Sequence, residues 1–429
     1  MTQLSFAIKG DICHSLAPRQ LECVEGGYAV CEDGRSAGVF RALPEQYAGL
    51  PVLDCTGRLV LPGLVDLHVH ASQFAYRGTG MDMELLDWLN ACAFPEESRF
   101  ADLDYAARAY GRFVEDVVRG PNTRACVFAT AHVEATLLLM DMLEKSGLVT
   151  MVGKVSMDTS APDSLREPDA ASAARAVRSW LEAAQGRYER TQPMLTPRFI
   201  PSCSDALLRE LGAIQRESGL PVQSHLSENR GEVQLVRELC PWSAFYGAAY
   251  DEYGLFGGDG RDTVMAHCVL SEEPELELIR ERGVYIAHCP ASNMNVSSGI
   301  APVRRFLDMG LRAGLGSDVA GGTLTSIFRA MADAIQVSKL RWRLVDESLP
   351  ALTATEAFWL GTAGGGALFG TGSFKPGMEF DAIVLDDSRY VPEPAGDLPT
   401  RLERTIYLSE NRDIEHKFCL LYTSPSPRD

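Results

Sequence analysis

Two rhythms divide this chain. Residues 1–60 read as short apolar-rich strands broken by turns: "LSFAIKGDICH", "YAVCEDGRSAGVF" and "VLDCTGRLVL", with "EDG" and "CTG" as the turn signals. From Leu61 the pattern changes. Short apolar runs alternate with longer segments in which apolar residues recur at threes and fours, as in "SDALLRELGAIQRESG" and "EEPELELIRERG". The runs are "VDLHVH", "RACVFATAH", "TMVGKVSMD", "MLTPRFI", "PVQSHLSE", "TVMAHCVL", "VYIAHCP" and "RAGLGSD". Eight strands separated by helices predict an α/β protein built on a parallel, distorted (β/α)8 (TIM) barrel over residues 63–367. After Ala367 strand-like text returns in "GSFKPGMEFDAIVLDD", so residues 1–62 and 368–429 are expected to form one small β-sandwich domain from both chain ends. No internal repeat is visible.

The ends of those runs carry the chemistry. His68, His70, His132, Asp158, Arg198, His225, His267, His288 and Asp318 all fall at or near the C-terminal end of a predicted strand. In a parallel barrel that end is the mouth where sites are built. Six of the eight histidines are among them, whereas random placement would scatter them through helices and loops. Alternation along a strand puts His68 and His70 on the same side of "VDLHVH".

Taken singly, each residue has a plainer reading. An HxH pair is weak evidence of a metal, His225 could bond a carbonyl, and Asp318 in "GLGSDVAGG" could cap the following helix. Together they bring nitrogen and oxygen ligands from the first, fifth, sixth and eighth strands to one point, a set that suits zinc or a related divalent ion. Glu228, three residues beyond His225, reaches a water at that point without ligating the metal, where an acid can take and return a proton.

Composition narrows the class. The chain has 429 residues, 40 basic against 58 acidic, and a net charge of −18, which argues against a nucleic-acid backbone or an anionic membrane as partner. Eleven cysteines without a CxxC pair read as reduced thiols, "MTQLSFAIKG" lacks the blocks of a signal peptide, and no run of apolar residues is long enough to span a bilayer. The expected setting is cytoplasmic.

With these motifs in place the chain resembles the amidohydrolase superfamily, which has the same HxH, His, His, Asp order. The likeness runs through "PGLVDLHVHASQ", "LLDWL", "FPEE", "FATAH", "VGKVSMD", "TPRF", "QSHLSENRGEV", "MAHC", "AHCPASN", "GLGSDVAGG" and "EFDAIVLD". The "HASQ", "TPRF" and "SHLSEN" blocks are similar to those of the guanine-deaminating branch. The resemblance implies one zinc per chain held by His68, His70, His225 and Asp318, with His267 either a further ligand or a holder of the attacking water. It implies Glu228 as proton shuttle, Asp318 orienting that water, and Gln73, Arg198 and Phe199 lining a purine pocket alongside His70 and His225. It also implies a small purine substrate, water as co-substrate and a homodimer. The implied reaction converts guanine and water into xanthine and ammonia.

Other features are set aside. His132-Val133-Glu134 matches half of a cytidine-deaminase motif, but no PCxxC follows. His132 and His288 are expected to support the site rather than act in it. Binuclear relatives use a carboxylated lysine on the fourth strand, whereas Lys154 falls on the third, so one metal is expected. "GTAGGGALFGTG" lacks GxxxxGK[ST] and reads as close packing.

Two stretches depart from the family pattern. "RGPNTRACVF" lies at the N-terminal end of its strand, away from the chemistry. "FCLLYTSPSPRD" resembles translated adapter sequence, so the end of the β domain from about Phe418 is expected to be truncated or artefactual and to offer few groups that could join a sheet. Two alternative readings remain in play: a mononuclear amidohydrolase acting on another aminopurine, a pterin or a triazine, and a catalytically silent scaffold of the same fold. The intact ligand set argues against the scaffold; Gln73 and Arg198 favour guanine.

Overall fold

A computed structural model describes residues 5–390, 396–419 and 422–424. The chain opens with β1 (Phe6–Ala17), β2 (Gln20–Glu32), β3 (Arg35–Phe40) and β4 (Val52–Pro62). Next come β5 (Leu64–His70), β6 (Asn122–Phe128), β7 (Val149–Gly153), β8 (Val155–Ser156), β9 (Thr191–Pro193), β10 (Thr196–Pro197), β11 (Val222–Leu226), β12 (Thr263–His267), β13 (Tyr285–His288) and β14 (Arg312–Leu315). It closes with β15 (Asp381–Leu385), β16 (Ile414–Cys419) and β17 (Tyr422–Ser424).

The expected α/β architecture is present. Each of the eight apolar runs contains strand, and these strands pair in parallel as β5-β6-β7-β9, β8-β10 and β11-β12-β13-β14. A parallel bridge between Leu195 and Val222 links the first set to the second. On the other side Asp318 N donates to His68 O at 2.8 Å and His70 N to Val319 O at 3.1 Å, so the segment after β14 returns to β5. Val65 and Leu67 pack in one apolar cluster with Cys126, Val264, Ala266 and Ala287, a floor built from both sets of strands. The glycine-rich run packs closely, as expected: a side chain at Gly314 would collide with the backbone of Gly365.

The β-rich chain ends meet as expected, in one mixed seven-stranded sheet ordered β17-β16-β15-β4-β1-β2-β3. Its apolar face gathers Phe6, Ile8, Val60, Phe374, Phe380, Val384 and Phe418. The sheet runs straight into β5 through Gly63, where any Cβ would strike the Thr123 side chain. At that joint the Arg124 guanidinium grips Asp381 at 2.6 and 2.9 Å and reaches Glu379 at 2.9 Å. The departure at "RGPNTRACVF" therefore serves the joint between this sheet and the parallel strands, at the N-terminal end of β6.

The expectation for the tail is corrected. Phe418 and Cys419 complete β16, and Tyr422–Ser424 pair with it as β17. The Phe418 ring lies 5.3 Å from that of Phe6. The prolines that forbid a ladder begin only at Pro425, and residues 425–429 lie outside the described residues. Lys417 anchors the strand: its buried ammonium donates to the carbonyls of Val117, Gly120 and Asn122 at 2.9, 2.9 and 2.8 Å. Lys417→Met would strip three buried carbonyls of a charged donor, although Val117 O keeps the Gly120 N–H at 3.2 Å, so a loss of about 3 kcal/mol in stability is expected with kcat unchanged. Denaturant unfolding beside a rate assay checks this; an unchanged midpoint would refute it.

Candidate metal and substrate site

The pairing of β5 with β6 is irregular between Asp66 and Val69, and such a break re-aims side chains. Asp66 pins the strand there, accepting from Ser317 N at 3.0 Å, Ser317 Oγ at 2.5 Å and His68 N at 3.2 Å. His68 and His70 then face the cluster with ring centroids 4.9 Å apart. Two further members come from strained backbone: His267 at φ 77° and Asp318 at φ 45°, left-handed positions unusual for non-glycine residues and concentrated at functional sites.

The structure brings all five expected ligands together. His68 Nε2 lies 3.2 Å and His70 Nε2 3.6 Å from Asp318 Oδ1, His267 Nε2 lies 3.7 Å from Asp318 Oδ2, and the Nε2 atoms of His70 and His225 are 3.2 Å apart. Ring partners set the tautomers. His225 Nδ1 faces the Arg198 carbonyl at 2.6 Å and His267 Nδ1 the Asn293 side-chain oxygen at 2.9 Å, both acceptors, so each Nε2 keeps its lone pair. Burial, reinforced by the neighbouring imidazoles, holds His70 and His225 well below the ordinary histidine range, and hence neutral. Burial alone would raise Asp318, but His68, His267 and His70 outweigh it and hold that carboxyl well below the usual range.

These donors fit a metal ion. The Nε2 atoms of His68 and His267 are buried with no hydrogen-bond partner among the described residues. Ligand atoms of His68, His225 and His267, and those of His68, His70 and Asp318, lie within 4.8 Å of one another. Cys289 approaches the cluster too, but burial, with nearby carboxylates, keeps its thiol pushed well up and protonated, a poor ligand state.

Glu228 stands beside this cluster. Its Oε2 is 3.4 Å from His267 Nε2, and Ser298 Oγ donates to its Oε1 at 3.0 Å. Burial first, then the charge of Asp318, push the Glu228 carboxyl up to about 8. Glu232 accepts from the backbone N–H groups of Glu228 and Asn229 and holds the turn that aims Glu228.

A cavity of about 420 Å³ opens onto the cluster, lined by His70, His225, His267, Asp318 and Glu228, with Gln73, Arg198 and Phe199 also in its wall. All the residues expected to read a base therefore face the expected ligands. Leu85, Trp88 and Leu89 add an apolar wall. Arg198 sits just after β10 and forms a fork on Glu97, Nη1 to Oε2 at 2.5 Å and Nη2 to Oε1 at 3.1 Å. Gln73 donates from Nε2 to Glu97 Oε1 at 2.8 Å and accepts from Ala320 N at 3.2 Å.

Sequence reasoning gave no roles to Glu97, Asn293, Ser298 or Trp88. "FPEE" was visible, but acids opening a helix ordinarily serve its N-terminus from the surface. The supporting residues are placed elsewhere. His132 precedes the helix Val133–Ser146, Asp158 accepts from Ser204 N and Oγ, and Lys154 pairs with Glu167. Buried His288 is lowered to about 3, first by burial and then by His267. None of these residues lines the cavity.

The fold and the cluster define the class: the chain belongs to the amidohydrolase family, whose family model matches residues 59–420. Within that family its curated relatives include guanine deaminases. The Homo sapiens guanine deaminase is 40% identical over 373 residues, which cover 83% of this chain and 81% of that protein. The Dictyostelium discoideum guanine deaminase is 36% identical over 371 residues, covering 85% and 82%. A crystal structure of guanine deaminase from C. acetobutylicum, with guanine bound in the active site, is 41% identical and superposes with a TM-score of 0.93 over 97% of this chain and 99% of that one.

Proposed function

We propose that this chain is a zinc-dependent guanine deaminase, with its site at the mouth of a distorted (β/α)8 barrel that carries a small β sandwich. The observation that carries the reading is the single cavity in which the His/Asp cluster and Glu228 face Gln73 and Arg198. Guanine deaminases at 36–40% identity support it. His68, His70, His225 and Asp318 would hold the ion, with the Nε2 lone pair of His267 closing the set. Nitrogen and carboxylate donors suit zinc. When bound, zinc lowers the pKa of a water and makes hydroxide available near neutral pH.

The chain's own residues do the rest. Arg198 and Gln73 hydrogen-bond the base edge, and Phe199 with Trp88 supplies apolar surface against its faces. Glu228 gives a proton to the ring nitrogen beside the carbon that bears the amine, as water adds to that carbon. Asp318 accepts the proton of the attacking water. Asp318 passes that proton to the amine as the C–N bond breaks, the new hydroxyl group returns its proton to Glu228, ammonia leaves, and xanthine remains. No helix among the described residues is long and apolar enough to cross a membrane, and the cysteines among them are free thiols, which supports a cytoplasmic setting.

Ammonia release from guanine, adenine, cytosine, pterins and triazines tests the substrate. Guanine is expected to lead by at least roughly two decades, the range a site built on polar contacts reaches against poorly matched rings. A triazine or pterin as the better substrate would move the chain to that class. Arg198→Lys keeps the ion pair with Glu97 but loses the planar fork. It should lower kcat/KM for guanine by about two decades with metal content unchanged. An unaltered kcat/KM would remove Arg198 from the pocket's working residues.

A further inference from the structure

We propose that Glu97 is the positioning residue that sets the hydrogen-bond polarity of the base pocket; this rests on the reading of Gln73 and Arg198 as the residues that recognise the base. Glu97 lies in the short helix Phe94–Ser98 and is 1% exposed. One carboxylate serves two readers that come from separate parts of the chain. Its Oε1 accepts from Gln73 Nε2 at 2.8 Å and from Arg198 Nη2 at 3.1 Å, while its Oε2 accepts from Arg198 Nη1 at 2.5 Å.

A carboxylate can only accept. Gln73 must therefore turn its amide nitrogen to Glu97, which leaves its oxygen to take the Ala320 N–H at 3.2 Å. Reversing the amide would set oxygen against a carboxylate and NH2 against a backbone N–H, two mismatches in a buried place. The order in which Gln73 shows a donor and an acceptor to the cavity is thus fixed by Glu97. Arg198 is held on the same anchor, and its guanidinium carbon lies 4.9 Å from the ring centroid of Phe94 in the same helix. Glu97 also balances the Arg198 charge, so that end of the cavity suits a neutral base rather than an anion.

Glu97→Gln tests this, because an amide tolerates either orientation of Gln73 and leaves Arg198 uncompensated. The KM for guanine should rise at least tenfold, with kcat within threefold and metal content unchanged. Isoguanine, with its amine and carbonyl exchanged relative to guanine, supplies a readout that mere structural damage would not move. Its inhibition constant relative to the KM for guanine should fall at least tenfold. Glu97→Asp covers the case in which the buried arginine prevents folding: it keeps the charge but is one carbon too short to span both partners. It should show the same KM rise with a near-normal thermal midpoint. Unchanged KM and unchanged discrimination in Glu97→Asp overturn the proposal, as does an equal fall of kcat and kcat/KM with discrimination intact. Gln73→Ala and Arg198→Lys separate the two levels. If neither alters KM, the base-reading assignment falls and takes this proposal with it. If both raise KM while the Glu97 variants do not, only the role of Glu97 falls.

Discussion

Glu228→Gln should reduce guanine turnover by roughly three decades or more, the upper range of what one acid–base group supplies, while guanine still binds and the metal stays. The side chain is buried at 3.4 Å from His267 Nε2 and is held by Ser298 Oγ. An amide of the same shape keeps the Ser298 contact and the packing, but it cannot give a proton to the ring nitrogen or take one back from the new hydroxyl group. Because Glu228 is assigned no ligand role, elemental analysis should give the wild-type ion content. Equilibrium binding of guanine should stay within a few-fold. Near-normal turnover in this variant would take the proton transfers away from Glu228.

Removal of the metal should have the other large effect. Dialysis against a chelator is expected to bring ammonia release from guanine to background, and added zinc should restore it at about one ion per chain. The thermal midpoint should fall as well, since the bound ion stabilises only the folded state. Without a cation, the neutral imidazoles of His70 and His225 and a carboxylate converge in a buried place where His68 Nε2 and His267 Nε2 make no hydrogen bond among the described residues. Two ions per chain in the active protein, or full activity after chelation, would contradict the mononuclear reading.

Much of this was legible in the sequence, for a physical reason. In a parallel barrel each strand delivers its C-terminal residues to one mouth, so the order His68, His70, His225, His267, Asp318 already implied convergence. Arg198 and Glu228 could be placed because each adjoins a strand end, while Gln73 and Phe199 were readable through the family resemblance. Glu97, Asn293 and Ser298 could not be, because each acts through a partner distant in sequence: Arg198 for Glu97, His267 for Asn293, Glu228 for Ser298. Nothing local marks a glutamate at a helix start as buried. The backbone strain at His267 and Asp318 was equally silent, since pattern reading has no access to φ. The tail departs from expectation because its ladder-breaking prolines begin only at Pro425, while Phe418 and Cys419 continue the strand before them.

The return of the segment after β14 to β5 has a bearing on biosynthesis. Asp66 and Ser317, whose contact supports that seam, are 251 positions apart, and Asp318 hydrogen-bonds His68 across it. During translation His68 and His70 emerge early and wait for a carboxylate that leaves the ribosome only with the segment after β14. Contacts of such long sequence separation form slowly. A chain interrupted anywhere before Asp318 lacks the carboxylate that completes the cluster, whatever its local structure. Completion of the His/Asp cluster is therefore a late event, and a chain that stops before Asp318 lacks part of the site.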